Sequence, residues 1–166
     1  MFFLLALYSE FIGKNMIYTY NKFTINIDTS VIQTLSKFEQ YNGQNESGGA
    51  LMGYIARNEL KILDCTQPNI FDIHRRYNFI RNIFGHQFII NNKYNISNGK
   101  INYIGEWHTH SEINPKPSKT DLKTLMKIRR YKNVKFPVIM IIIGQNKTYW
   151  VGININGYIH KCKRYI

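Results

Sequence analysis

Hydrophobic and polar positions alternate over residues 17–27, IYTYNKFTINI, where β-branched and aromatic side chains dominate, so this stretch is expected to be a strand. The spacing then changes. In DTSVIQTLSKFEQY, residues 28–41, Val31, Leu35 and Phe38 recur at helical intervals behind capping residues, which predicts a helix. GALMGYIARNELKILDCTQ, residues 49–67, reads as two strands joined by a turn near Asn58. Residues 68–84 are ambiguous apart from a strand over RYNFIR, 76–81. A helix over 85–97 is expected to stop at Asn98-Gly99. KINYIGEWHTH, 100–110, reads as a strand, and SKTDLKTLMKIRRY, 118–131, as a helix with Ser118 as N-cap and Leu122, Leu125 and Ile128 on one face. FPVIMIIIG, 136–144, is nearly unbroken in its apolar character, hence a strand buried on both faces. KTYWVGINI and GYIHKCKRYI finish as a hairpin-like pair. Strands dominate, with two or three helices packed on them: an α/β (α+β) sandwich.

Composition changes this picture little. At 166 residues and 44% apolar content the chain suits one domain with a sizeable core. A formal net charge of +12 invites a nucleic-acid reading. The cations are dispersed, however, and Lys127, Arg129 and Arg130 form the one tight cluster. Abundant Ile, Asn, Lys, Tyr and Phe match the bias of an AT-rich genome. A solvated basic face is the simpler account, so a nucleic-acid partner is not expected. The two cysteines, Cys65 and Cys162, lie outside any Cys-x-x-Cys pair, which argues against a disulfide framework and for a cytoplasmic location. Each is expected to pack as a small buried apolar residue.

The stretch GEWHTHSEINPKPSKTD, residues 105–121, gathers three of the chain's ten acidic residues beside two histidines. Alternate side chains of an extended segment share a face, so Glu106, His108 and His110 project together. Two histidines so placed can bind one metal ion. Asp121 lies beyond the turn marked by Pro115 and Pro117, in the first turn of the next helix, and can fold back as a third ligand. Two imidazole nitrogens and one carboxylate suit zinc with a fourth position open to water, the pattern of a catalytic site. Zinc lowers the pKa of that water to about 7. Ser118 precedes Asp121 by about one helical turn, so its hydroxyl can face the same pocket as well as cap the helix. A base is also needed. ESGGALMGYI offers Glu46, followed by glycines that let the backbone approach closely. Glu106 is the rival base, although a role in supporting the ligands or the strand suits it better. Glu112 reads as a loop carboxylate, and Trp107 as a core residue pointing away from the metal. His74, His86 and His160 have no motif partner and read as structural or surface residues.

The His-x-His pair, the Asp separated from it by ten residues, the Ser three before that Asp and the upstream Glu together resemble the JAMM motif of the JAB/MPN metalloprotease family. The resemblance runs from about Glu46 to the C-terminal strands. ESGGALMGYI, GEWHTH and PSKTD especially resemble bacterial JAB-domain deconjugating proteases of CBASS-type antiphage defence operons. It implies a curved, mostly antiparallel sheet flanked by helices, the JAB/MPN (cytidine deaminase-like) architecture, over residues 16–166. It implies one zinc ion per chain, held by His108, His110 and Asp121 with a bound water. Glu46 matches the general acid/base and Ser118 the residue that helps stabilise the tetrahedral intermediate. The implied reaction is hydrolysis of the amide bond between the C-terminus of a conjugated, ubiquitin-like or similarly ligated protein and its target. Implied partners are a protein substrate with a flexible C-terminal tail, ubiquitin-activating-like and conjugating-like enzymes, and a nucleotidyltransferase of the same operon. RRYNFIR and His86 also resemble a segment of those relatives, which makes Arg75, Arg76 and Arg81 candidates for lining a substrate groove, with ordinary surface arginines as the alternative. One departure is plain: Ser111 stands where the family usually has proline. Proline contributes a fixed φ rather than a ligand, so its loss is expected to loosen the turn and leave the zinc chemistry intact.

Other readings are a peptidase trimming a ubiquitin-like or sulfur-carrier precursor and a non-catalytic MPN scaffold. The intact ligand set argues against the scaffold. Residues 1–15 form an N-terminal extension whose apolar run of eight is too short to span a bilayer, which takes about 20 residues. It also lacks the basic start and cleavage site of a secretory signal. It is expected to be an added edge strand or to lie upstream of a true start at Met16, and no membrane partner is expected. Mass spectrometry of the natively expressed protein separates the two: Met16 at the terminus supports the later start, and an intact Met1 refutes it.

Overall fold

The protein is described by a computed structural model covering residues 15–131 and 136–165. The N-terminal apolar run therefore lies outside the described residues. The alternating stretch 17–27 is a hairpin rather than one strand: β1 (Met16–Tyr20) and β2 (Phe23–Ile27) turn at Asn21, whose φ of 50° is one that asparagine tolerates. Asp28 caps α1 (Thr29–Leu35) by accepting from Ser30 N–H. This helix is shorter than its apolar spacing predicted, and a 3-10 turn over Ser36–Phe38 ends it. The Ser36 hydroxyl bonds back to Ile32 O, competing with continuation of the helix.

β3 (Gly48–Ala56) and β4 (Glu59–Cys65) form the expected pair around a turn at Arg57. The ambiguous segment that follows is an arm carrying a small hairpin, β5 (Ile73–Arg75) and β6 (Asn78–Ile80), where one strand over 76–81 had been expected. α2 (Ile83–Ile96) ends as predicted, with Asn98 and Gly99 at positive φ. β7 (Asn102–Thr109), α3 (Lys119–Tyr131), β8 (Val138–Ile143) and β9 (Tyr149–Ile155) follow the predicted order. The last stretch splits at Cys162 into β10 (Tyr158–Lys161), which pairs with β9, and β11 (Lys163–Tyr165), which pairs with β1.

That split explains the shape. Strand order in the nine-stranded sheet is β10-β9-β8-β7-β3-β4-β2-β1-β11, so one residue, Cys162, connects its two opposite edges. The sheet must curl almost into a barrel, and the Cys162 N–H donates to Val151 O at 2.8 Å to hold the crossing. The Tyr20 and His160 rings, from β1 and β10, stack 4.2 Å apart across it. All pairings are antiparallel except β2 with β4 and β7 with β8. The architecture is thus a mixed α+β, curved, mostly antiparallel sheet flanked by three helices among the described residues.

One face of the sheet packs Ile25, Leu51, Ile62, Trp107, Ile139, Ile141 and Ile153 into the main core, to which α1 adds Val31 and Leu35. Both cysteines are buried there as well. The alternate residues of β8, Val138, Met140 and Ile142, face the other way and pack with Leu125 and Trp150, which fastens α3. Ala50 and Met52 of β3 meet Ile90 of α2. Both faces of β8 are therefore covered, as its unbroken apolar run requires. No helix among the described residues is long and apolar enough to cross a membrane.

Leu125 is 0% exposed and its carbonyl accepts from the buried Asn154 amide, so it anchors the helix that carries Asp121. Leu125→Ala is expected to cost about 2–5 kcal/mol in urea denaturation. A loss of well under about 1 kcal/mol would mean that the site can collapse around the deletion.

Candidate metal centre and active site

β7 lies between β3 and β8, paired antiparallel to one and parallel to the other. Both ladders hold it where it delivers its histidines: His108 sits opposite Gly48 and Ile142, and His110 N–H still bonds to Ile143 O beyond the strand end. Alternation aims Glu106, His108 and His110 into one cleft of about 850 Å³, while Trp107 turns into the core and donates its indole N–H to Thr66 O.

Asp121 arrives from the first turn of α3. Ser118 and Asp121 form a reciprocal cap: Ser118 N–H donates to Asp121 Oδ2 at 2.6 Å, and Asp121 N–H donates to Ser118 Oγ at 3.1 Å. The cap orients the carboxylate against both imidazoles. His108 Nε2 and His110 Nε2 are 3.2 Å apart, and each is 3.4 Å from an Asp121 oxygen. Donors sharing one tetrahedral ion at about 2.0–2.1 Å are separated by about 3.3–3.4 Å. The three residues thus fit a single metal ion, with two nitrogens and one oxygen converging on one point. Burial works to raise the Asp121 pKa, but hydrogen bonds from His108 and His110 outweigh it and hold the carboxyl well below the usual range. Burial opposes the charge on His110, yet the Asp121 carboxylate beside it raises its pKa overall.

Glu46 reaches the same cleft from just before β3. Gly48 pairs with His108, so continuing the antiparallel register brings Glu46 opposite His110. Its side chain is buried, and desolvation pushes its pKa up to about 7, with the Asp121 charge adding to the rise and His110 opposing it. A carboxyl poised near neutrality beside a metal-ligand set is suited to exchange protons with a reacting group.

The remaining candidates have defined places. Arg81 holds Glu106 in a bidentate pair, with Nη2 to Oε1 at 2.8 Å and Nε to Oε2 at 3.1 Å, and the Tyr103 hydroxyl donates to Oε1 as well. Both oxygens of the rival base are therefore engaged. A β-bulge makes that triad: Ile104 is the extra residue between the Tyr103–Met52 and Gly105–Leu51 pairs, so Tyr103 and Glu106 share a face. Arg76 and Arg81 line the cleft; Arg75 is exposed outside its lining. Glu112 is an exposed loop residue at the cleft rim. His160 stacks on Tyr20, and His74 packs on Phe79.

His86 is fully buried. Its Nδ1 lies 2.6 Å from Thr66 Oγ1 and its Nε2 3.0 Å from Asp72, which also accepts from Asn69 N–H and Asn82 N–H. This network ties β4, the arm and α2 together. Its partners come from separate elements, so no local motif announced it.

Comparison with known proteins supplies the context. The family model described as prokaryotic homologs of the JAB domain matches residues 28–152. A protein of Escherichia coli (strain TW11681) named CD-NTase/cGAS isopeptidase is 36% identical over 140 residues, covering 83% of this chain and 86% of that one. A protein of the same name from Pseudomonas aeruginosa (strain BWHPSA011 / Pa011) is 32% identical over 130 residues, covering 78% and 82%. A solution structure of a protein from Desulfitobacterium hafniense shares the fold with a TM-score of 0.55 at 12% identity, covering 82% of this chain and 88% of its own.

Glu46 holds its proton more tightly in the folded chain than in the unfolded one, so raising the pH from the ordinary glutamate range through about 7 works against folding. In the metal-free protein, Glu46→Gln is expected to be more stable than wild type by about 3 kcal/mol near pH 8 and equal to it near pH 4. Denaturation in chelator at the two pH values reads this out. A difference that does not change with pH would mean that the carboxyl ionises normally.

Proposed function

Because this chain belongs to the prokaryotic JAB-domain family, we propose that it is a zinc-dependent isopeptidase of antiphage defence, formed by residues 16–166. The observation that carries this reading is the convergence of His108, His110 and Asp121 at 3.2–3.4 Å beside the buried Glu46. The name shared by relatives at 32–36% identity supports the isopeptidase role and points to a nucleotidyltransferase as the conjugated protein.

His108, His110 and Asp121 would hold the ion. Zinc bound there would act as a Lewis acid and bring water to a pKa of about 7. Glu46 takes a proton from the attacking water as the new carbon–oxygen bond forms. Ser118, whose Oγ accepts from Asp121 N–H and whose hydroxyl interacts with the Asp121 carboxylate, turns that O–H toward the developing oxyanion. Glu46 then returns the proton to the leaving amine as the carbon–nitrogen bond breaks. The products are a free C-terminal carboxylate and the target's amine. The substrate tail lies extended beside β6, whose residues Asn78, Phe79 and Ile80 line the cleft and offer a strand to pair with. Activating-like and conjugating-like enzymes of the same operon would make the bond that this enzyme removes.

Cleavage of a tail-linked nucleotidyltransferase conjugate, with and without chelator, tests the reading. Wild type is expected to cleave only without chelator, and Glu46→Gln is expected to lose at least about 100-fold in rate with its zinc content unchanged. Chelator-insensitive cleavage, or no cleavage of any tail-linked conjugate, would sink the proposal. Retained activity in Glu46→Gln would move the base elsewhere.

A further inference from the structure

Glu46 lies outside β3, and its own main chain is held by the arm rather than by the sheet. Its N–H donates to Arg75 O at 2.8 Å, and its carbonyl accepts from His74 Nδ1–H at 2.9 Å. The turn before it is tied to the arm as well. Gln40, 2% exposed, donates its amide to Gln44 O at 2.8 Å and to Arg76 O at 3.0 Å. On the sheet side the next residue is fixed instead: Ser47 N–H donates to Thr109 Oγ1, and Ser47 O accepts from Thr109 N–H. Glu46 is thus suspended between β7 and the arm that lines the cleft.

His74 is half-buried, with its ring 5.2 Å from that of Phe79. Phe79 in turn covers Gly48, where an added Cβ would come within 2.5 Å of the Phe79 ring. His74 is not itself part of the cleft lining. Its polar contact is with the backbone of Glu46.

We propose that His74 is a positioning residue: its Nδ1–H bond to the Glu46 carbonyl fixes the base to the arm, so that a tail lying along β6 sets Glu46 in place for proton transfer. This rests on the reading of Glu46 as the base. The link acts on turnover rather than on binding, because it reaches the base and not the tail. It also makes the enzyme discriminate at the chemical step: a peptide that does not engage the arm leaves Glu46 less well held.

Two substitutions separate this role from simple packing. His74→Phe keeps a ring against Phe79 and removes the N–H; His74→Asn restores an amide N–H near the Nδ1 position. With a tail-linked conjugate, His74→Phe is expected to lower kcat by about 10-fold to 100-fold. KM should stay within about twofold of wild type, with zinc content unchanged. His74→Asn is expected to recover most of kcat. Hydrogen exchange at the Glu46 amide is expected to quicken in the Phe variant and slow again in the Asn variant. Unchanged kcat in His74→Phe, a rise in KM alone, equal impairment of both variants, or unchanged exchange at Glu46 would each overturn the proposal. If wild type cleaves no conjugate, the functional reading fails first, and the exchange data alone decide whether His74 holds Glu46.

Discussion

The antiparallel pairing of β3 with β7 is the constraint on which the site depends. It sets Gly48 against His108 and so carries Glu46, two residues earlier in the chain, to the level of His110. A one-residue slip would turn the histidines into the core and Trp107 into the cleft. Two glycines make the pairing possible. A Cβ on Gly48 would meet Trp107 O at 2.6 Å as well as the Phe79 ring, and one on Gly49 would meet Thr66 O at 2.2 Å. The arm closes on one side of β3 and the indole on the other because both positions lack side chains. The Gly-Gly pair is therefore a packing requirement, and the register it permits sets the position of Glu46.

The electrostatics of the cleft follow from that closeness. The Asp121 charge disfavours ionisation of Glu46, and both carboxyls are desolvated. Arg81, which lines the same cleft, is committed to Glu106. Asp121 keeps its charge by leaning on two imidazoles, and Glu46 gives up its own by rising to about 7. The two carboxyls thus diverge, one an anion fit to ligate and the other a group fit to carry a proton. Glu106 supports this division by engaging the Arg81 guanidinium. It also fastens the end of the arm to β7, and removing either partner would leave a partly buried charge unpaired.

Where periodicity is local, the chain could be read directly. Alternation marked β3, β4 and β7, the unbroken apolar run marked β8, and Leu125 with Ile128 marked the buried side of α3. The convergence of His108, His110 and Asp121 was legible for the same reason, since a strand period and one helical turn place all three. Glu46 carried little signal of its own, because its place in the cleft depends on a pairing across the sheet. The hairpin at Asn21 was hidden because alternation continues through the turn; only the backbone angle reveals it. The arm had no period to read. Its order comes from long-range polar contacts, Arg81 with Glu106, His86 with Thr66 and Asp72, and Gln40 with Arg76, none of which has a sequence spacing.

Ser111 illustrates how such contacts replace a local device. A proline there would restrict the turn after His110 through its own ring. Here the turn is held from outside, by the loop joining β8 to β9. The Gln145 side chain donates to Ser111 O at 3.3 Å, Gln145 N–H to Glu112 O at 2.8 Å, and the Thr148 hydroxyl to Ile113 O at 2.5 Å. Three consecutive carbonyls of the turn are thereby satisfied by one hairpin loop. The approach is close enough that a Cβ on Gly144 would sit 2.5 Å from Glu112 O and 2.6 Å from Pro115. The same Gln145 amide reaches Gln40 O, so the clamp on the His110 turn and the buried amide that ties down the arm are continuous. The turn that lacks its ring is thus braced by the framework that also holds the segment carrying Glu46, and both halves of the site are fixed by one set of hydrogen bonds to main-chain carbonyls.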